Sequence, residues 1–71
     1  RTLSFTLATA TDVDVSLHDL RGARVATLAH GRLEPGLHEV QWSAQNLRAG
    51  VYFVRLDAAG DRRHARVVVI D

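Results

Sequence analysis

One stretch of sequence decides the fold, NLRAGVYFVRL at residues 46–56. A polar Asn and a Gly bracket a tight bend, and the residues after them are mostly β-branched, aromatic or apolar, the types that favour a pleated sheet. Side chains alternate between the faces of a strand, which groups Tyr52, Val54 and Leu56 on one face and Val51, Phe53 and Arg55 on the other. Both faces are mostly apolar, so we expect residues 51–56 to form a central strand with neighbours on both sides.

Composition limits the domain count and the partners. The chain has 71 residues, of which 46% are hydrophobic and 24% charged, so we expect residues 1–71 to form a single domain with a small core. The net charge is +1 and the basic residues are all Arg, scattered along the chain, which argues against a nucleic-acid partner. No apolar run approaches the roughly 20 residues that span a bilayer, so no membrane span is expected. The chain begins without Met inside a strand-like pattern, which indicates a piece of a longer polypeptide.

Alternating segments separated by turn residues predict the other strands. The clearest is at residues 12–18, with Val13, Val15 and Leu17 predicted to face inward and Asp12, Asp14, Ser16 and His18 outward. This outward row is predicted to be a solvated strand face, and the alternative is that its carboxylates hold a cation. Further strands are expected at residues 3–7, 24–28, 37–42 and 62–70, with a turn at 19–23, a longer loop at 29–36 that contains a Pro35-Gly36 turn, and a connection at 43–50. This spacing predicts an all-β fold, a small antiparallel sandwich or barrel of about seven strands.

No motif for catalysis or metal binding stands out. His18, His30, His38 and His64 lie on separate segments without the paired spacing of zinc ligands. The serines lack a nucleophile elbow, and no carboxylate pair falls in a recognisable motif. We therefore expect no catalytic residues, no metal site, no cofactor and no enzymatic activity in this domain.

Glycines and aromatic residues have structural interpretations. Gly22, Gly36 and Gly50 are predicted to allow turns that a Cβ would strain. Trp42 and Tyr52 are predicted core aromatics, because each shares a strand face with a Val. The alternative is that Trp42, Tyr52 and Phe53 stack on sugars as an exposed platform, as in a carbohydrate-binding module.

The closing segment carries apolar residues on both faces. Val67 and Val69 face one way, and Val68 and Ile70 face the other. Such a strand is either paired inside the sheet and partly covered by loops, or recognised by another protein on one side or along an unpaired edge, through strand addition. The second alternative predicts a recognition strand formed by Arg66, Val67, Val68, Val69 and Ile70.

Four blocks of sequence, in this order, carry a family resemblance. They are VSLHDLRGARVATL at residues 15–28, EPGLHEVQW at 34–42, LRAGVYFVRL at 47–56 and RVVVI at 66–70. Together they cover nearly the whole chain and resemble the C-terminal sorting domain of the type IX secretion system. They are also similar to the related immunoglobulin-like domain of the flagellar hook-cap protein.

The resemblance implies an immunoglobulin-like β-sandwich at the C-terminus of a larger secreted protein of a Gram-negative bacterium. It implies delivery through the periplasm and outer membrane to the outside or the cell surface. The partners would be the outer-membrane export and attachment machinery and an upstream passenger domain, which would carry any enzymatic activity. The family's closing strand usually carries Lys, whereas this one carries Arg62, Arg63 and Arg66, followed by Asp71. A structural spacer of the same fold is therefore a second alternative to a sorting domain.

Overall fold

The computed structural model describes residues 1–70, and Asp71, which follows the predicted closing strand, lies outside them. The described residues form six strands, close to the predicted number. The strands are β1 (Thr2–Leu7), β2 (Thr11–His18), β3 (Arg24–Leu33), β4 (Gly36–Gln41), β5 (Gly50–Ala58) and β6 (Asp61–Val69). Within the same residues, no helix has the length and hydrophobicity to cross a membrane.

The strands form two antiparallel sheets that make a small sandwich. β1 pairs with β4 in one sheet, and the other sheet has the order β3-β2-β5-β6. The prediction that residues 51–56 form a central strand is confirmed, since β5 pairs with β2 on one side and with β6 on the other. The all-β sandwich predicted from the spacing of turns is likewise confirmed.

The core lies between the two sheets. Its buried centre comes from alternate residues of β2 and β5 and from the end of β6, namely Val15, Leu17, Tyr52, Val54 and Val69. Side chains of the two-stranded sheet, Leu3 and Phe5 among them, pack against this centre. The inward positions Val15 and Leu17 predicted for β2 therefore face this core, as the period of two requires.

The loop predicted at residues 29–36 is wrong. β3 continues to Leu33, with Ala29 opposite Val15 and Leu33 opposite Thr11, so only residues 34–35 connect it to β4. The prediction failed because Gly31 suggests a break, whereas pairing along the whole of β2 holds the segment extended. Gly31 has a φ of 129°, which a glycine adopts without strain inside the strand.

The outward assignment of Ser16 and His18 to a solvated face is also wrong. Ser16 is 0% exposed and His18 is buried, because β2 lies between two long strands whose side chains cover this face. Ser16 lies between Thr27 and Arg55 in the strand register, and His18 between Arg24 and Phe53.

A hydrogen-bond chain satisfies the buried polar pair. The ring nitrogen Nδ1 of His18 lies 3.2 Å from the carbonyl oxygen of Gly22, which can only accept, so Nδ1 carries the proton. In the neutral ring Nε2 is then an acceptor, and the Ser16 hydroxyl donates to it at 2.8 Å. Buried polar groups are tolerated when they are paired in this way.

Candidate recognition strand

β6 lies at the edge of the four-stranded sheet and holds four of the five residues of the predicted recognition strand, while Ile70 follows its end. It pairs along its whole length with β5, from Ala58 opposite Asp61 to Gly50 opposite Val69. Among the described residues, β6 pairs with no other strand. The structure therefore places β6 at the edge of its sheet, and its recognition by another protein stays a prediction.

The hairpin that leads into β6 sets this register. Ala59 and Gly60 form a two-residue turn with φ values of 51° and 80°. Positive φ at both central residues is typical of a type I′ turn, whose twist matches that of paired strands. Every β5–β6 pair follows from this short turn.

The two faces of the closing segment differ sharply in exposure. Val67 is half-buried and Val69 is buried, and both pack on the core between the sheets. Arg66 is exposed, Val68 is 50% exposed and Ile70 is 78% exposed. The inward residues anchor β6, while the outward ones leave apolar surface in solvent.

Residues of β5 extend this exposed surface. Val51 lies opposite Val68, and Phe53 lies opposite Arg66, and both β5 residues are half-buried. We call these side chains the outer patch: Val51, Phe53, Arg66, Val68 and Ile70. From the sequence, Phe53 belonged only to the alternative sugar-binding platform and Val51 to no site, although the two-residue turn AG at 59–60 was a signal for this pairing.

Arg1 ties the C-terminal end of β6 to the other sheet. Its guanidinium donates a hydrogen bond to the carbonyl oxygen of Val68 at 3.2 Å and lies 5.6 Å from the centre of the Trp42 ring. The backbone nitrogen of Arg1 donates to the carbonyl of Trp42, and the Trp42 N–H donates to the carbonyl of Arg1. The end of β6 is thus held in position by a polar bridge and a cation–π contact.

Ion pairs lie farther along the outer face of this sheet. Asp57 accepts a hydrogen bond from Arg62 Nε at 2.7 Å and lies 3.4 Å from Arg55 Nε. Asp14, which is opposite Asp57 in the register, is paired with Arg24 through Nη2 and Oδ2 at 2.9 Å. The hydrogen bond from Arg24 lowers the pKa of Asp14 below its usual value, and the same contact raises the pKa of Arg24.

The three glycines lie at the ends of strands or in a turn. Gly22 is in the β2–β3 turn with a φ of 87°, Gly36 begins β4 with a φ of 119°, and Gly50 begins β5. The turn at Gly22 is held by Asp19, whose Oδ1 accepts from the N–H groups of Arg21 and Ala23. Although partial burial alone would raise it, these hydrogen bonds lower the pKa of Asp19.

The aromatic residues occupy three different settings. Tyr52 is buried on the inner face, and its hydroxyl donates to the carbonyl of Arg48 at 2.8 Å. Trp42 is half-buried and packs against the core, with Arg1 over its ring. Phe53 lies on the opposite face of β5 from Tyr52. The structure does not bring these rings together as the platform that a sugar-binding site needs.

The four histidines lie on four strands, β2, β3, β4 and β6. Over residues 1–70, no three His, Asp or Glu side chains converge in a way that could hold a metal ion. The closest approach of a histidine to a carboxylate is 3.8 Å, between His30 and Asp14. His38 stacks on Phe5 with ring centres 5.6 Å apart, and its Nε2 donates to the carbonyl of Glu34, so its role is structural.

Comparison with known proteins adds one match. A family model described as "secretion system C-terminal sorting domain" matches residues 2–70. Neither the search of curated proteins nor the search of solved structures found a match. The family match covers all six strands, β6 and its exposed residues included.

Proposed function

We propose, from the premise that this chain belongs to the secretion system C-terminal sorting domain family, that β6 is the strand by which the type IX machinery recognises it. The chain is a sorting domain recognised by that machinery, as its sequence resemblance implied. The family is one of signal domains in secreted or cell-surface proteins. What remains to assign is the surface that carries the signal.

The observation that carries the proposal is the exposure of apolar side chains on an edge strand. Val68 and Ile70 are large hydrophobic residues in solvent, next to half-buried Val51 and Phe53. Edge strands offer backbone N–H and C=O groups to an incoming chain, and neighbouring side chains supply specificity. An exposed apolar patch rimmed by a charged residue, here Arg66, is typical of a protein-binding site.

The finer parts of the function follow from this assignment. The upstream passenger carries whatever chemistry the whole protein performs, and this domain has no catalytic role or cofactor of its own. Its route runs through the periplasm and outer membrane, where the export and attachment machinery binds the outer patch. Recognition through one edge leaves the opposite edge, β3, without a part in export.

Export of a fused reporter tests the proposal. A fluorescent reporter joined upstream of the domain is expected to reach the surface or the medium of a type IX-competent host. Deletion of residues 66–71 is expected to abolish export. That deletion also removes buried Val69, so the sharper variants are Val68→Asp and Ile70→Asp, which place a charge on exposed positions and leave the core intact.

A matched control lies on the other edge of the same sheet. Val25 on β3 is 40% exposed, and Val25→Asp is expected to leave export at the level of the unchanged domain. Circular dichroism of the purified domains checks that all variants stay folded. Full export of the Val68→Asp and Ile70→Asp variants, or of the deletion, contradicts recognition through β6.

A further inference from the structure

A groove runs between the free edges of the two sheets, away from the outer patch. It has a volume of about 640 Å³ and lies between β1 and the first half of β6. β1 pairs only with β4 and β6 only with β5 among the described residues. Both walls therefore present strand edges without a strand partner, and we call this feature the edge groove.

The groove is open because of the residues at the inward positions of β6. Farther along, Val67 and Val69 close the sandwich, but Arg63 and Ala65 stand at the equivalent inward positions and are exposed. A methyl group and a charged chain do not fill the space between the sheets. The interior of the sandwich is thus accessible from this side.

The groove has both apolar and polar lining residues, and the apolar ones come mainly from β1 and β5. Leu3, Phe5 and Leu7 line it from β1, and Val54, Leu56 and Ala58 line it from β5. The bridge from Arg1 to the Val68 carbonyl lies beyond the far end of the lining residues of β6. An extended strand in the groove would place apolar side chains between the two sheets. Its backbone N–H and C=O groups would bond to the free strand edges.

The net charge of β6 limits which kinds of segment could bind in the edge groove. Over residues 61–69 there are three Arg and one Asp, a net charge of +2 with His64 neutral. On the outward side, Arg62 and Arg55 share the single carboxylate of Asp57, which leaves a net positive charge beside the edge of β6. In a strand added beside β6, residues next to Arg62 and His64 would point outward and a residue next to Ala65 would point into the groove.

We propose that the edge groove binds an extended segment of the export and attachment machinery in which apolar and acidic residues alternate. The identity of this partner rests on the proposed function, whereas binding of such a segment does not. The segment would act as an additional strand beside β6, at the opposite end of β6 from the outer patch. The domain would then have two contacts on one strand, one on its exposed face and one along its edge.

Binding of synthetic peptides tests the groove itself. The probe is an eight-residue blocked peptide that alternates Val and Glu, and the comparison peptides alternate Val and Lys or Ser and Glu. Fluorescence anisotropy at low salt is expected to show the Val–Glu peptide binding at least about tenfold more tightly than either of the others. Its affinity is expected to fall as salt is added.

Two substitutions separate the charge from the space. Arg62→Glu is expected to weaken binding of the Val–Glu peptide about tenfold and to strengthen binding of the Val–Lys peptide. Ala65→Phe fills the groove and is expected to abolish binding of both. The controls are Arg32→Glu and Val25→Phe on β3, both exposed, which are expected to change neither affinity.

Each negative result is informative. The proposal is wrong if the Val–Glu peptide does not bind, if all three peptides bind equally, or if Ala65→Phe leaves binding unchanged. The proposal is also wrong if sedimentation shows a dimer of this chain that Ala65→Phe dissociates, because a second copy then occupies the groove.

Export measurements distinguish a failure of the proposed function from a failure of the groove proposal. If export survives Ala65→Phe but is lost with Val68→Asp, recognition needs the outer patch and not the groove. Export that survives Val68→Asp while the Val–Glu peptide still binds removes the outer patch and leaves the groove.

Discussion

The second half of β2, residues 15–18, is buried on both faces by different physical means. On the inner face Val15 and Leu17 are fully buried among apolar side chains, and on the outer face Ser16 is fully buried beside His18. The inner face gains stability from area removed from water. The outer face gains little net energy from each hydrogen bond but loses much if one partner is left unpaired. The two faces of one strand should therefore respond to substitution in different ways.

The largest expected effect is the loss of a core side chain from the inner face. Leu17→Ala removes buried methyl groups and leaves a cavity, so the free energy of unfolding is expected to fall by about 3 kcal/mol. Urea denaturation followed by circular dichroism measures it. The same change at Leu20, which is 70% exposed, is expected to cost less than about 0.5 kcal/mol. Equal losses at the two positions would contradict the assignment of Leu17 to the core.

On the outer face, the pair of side chains matters more than either residue alone. Ser16→Ala leaves Nε2 of His18 without its donor, and His18→Phe leaves the Ser16 hydroxyl without its acceptor. Each single change is expected to cost about 1–3 kcal/mol. The double variant is expected to lose at least about 0.5 kcal/mol less free energy of unfolding than the sum of the two single losses.

The same measurements have a built-in comparison on β3. His30 is exposed, so His30→Phe combined with Ser16→Ala is expected to give additive losses. Additivity in the Ser16–His18 pair as well would show that the two side chains are not coupled, and the outer face would then differ from the inner face only in polarity.

Tyr52 combines both kinds of burial in one residue. Its ring packs in the core, and its hydroxyl donates to the carbonyl of Arg48. Tyr52→Phe keeps the packing and removes one hydrogen bond, so a loss of about 1 kcal/mol is expected in the free energy of unfolding. Thr6→Val removes a hydroxyl from an exposed position of β1 and serves as the control. A loss at Tyr52 as large as that of Leu17→Ala would mean that the change disturbs packing instead.

These two faces also mark what the sequence could and could not predict. Alternation along residues 12–18 correctly separates Val15 and Leu17 from Ser16 and His18, because the period of a strand is a local property. Alternation does not reveal whether a face is covered, which depends on the strands that lie beside it. Ser16 lies between Thr27 of β3 and Arg55 of β5, so its burial depends on β2 having a strand on each side, which is a matter of strand order.

The candidate site divides in the same way. The alternation within residues 66–70 and their place at the end of the chain's pattern could be seen in the sequence. Their position at a sheet edge depends on strand order, a long-range property that no local pattern encodes. The edge groove was beyond sequence reasoning altogether, since it arises where Arg63 and Ala65 meet β1, a strand distant in sequence.

The smallest expected effect concerns the ion pair that borders Ser16 on the outer face. The hydrogen bond from Arg24 lowers the pKa of Asp14 from its usual 3.8, so the ionised carboxylate is favoured in the folded state. Its stabilisation is complete above pH 3.8 and is lost as the pH falls below that value towards the lower folded-state pKa. Asp14→Asn is therefore expected to make the free energy of unfolding depend less on pH at acidic pH. Because the pair is partly exposed, the difference should stay below about 1 kcal/mol.

Removal of the arginine provides the matching variant for this pair. Arg24→Gln takes away the cause of the lowered pKa and is expected to reduce this pH dependence as Asp14→Asn does, while the double variant adds nothing further. Unfolding in urea between pH 2.5 and 6 gives the slopes, and salt should shrink the difference because the charges are near the surface. If Asp14→Asn keeps the wild-type slope, the ion pair does not stabilise the outer face, and its stability rests on the buried Ser16–His18 hydrogen bonds alone.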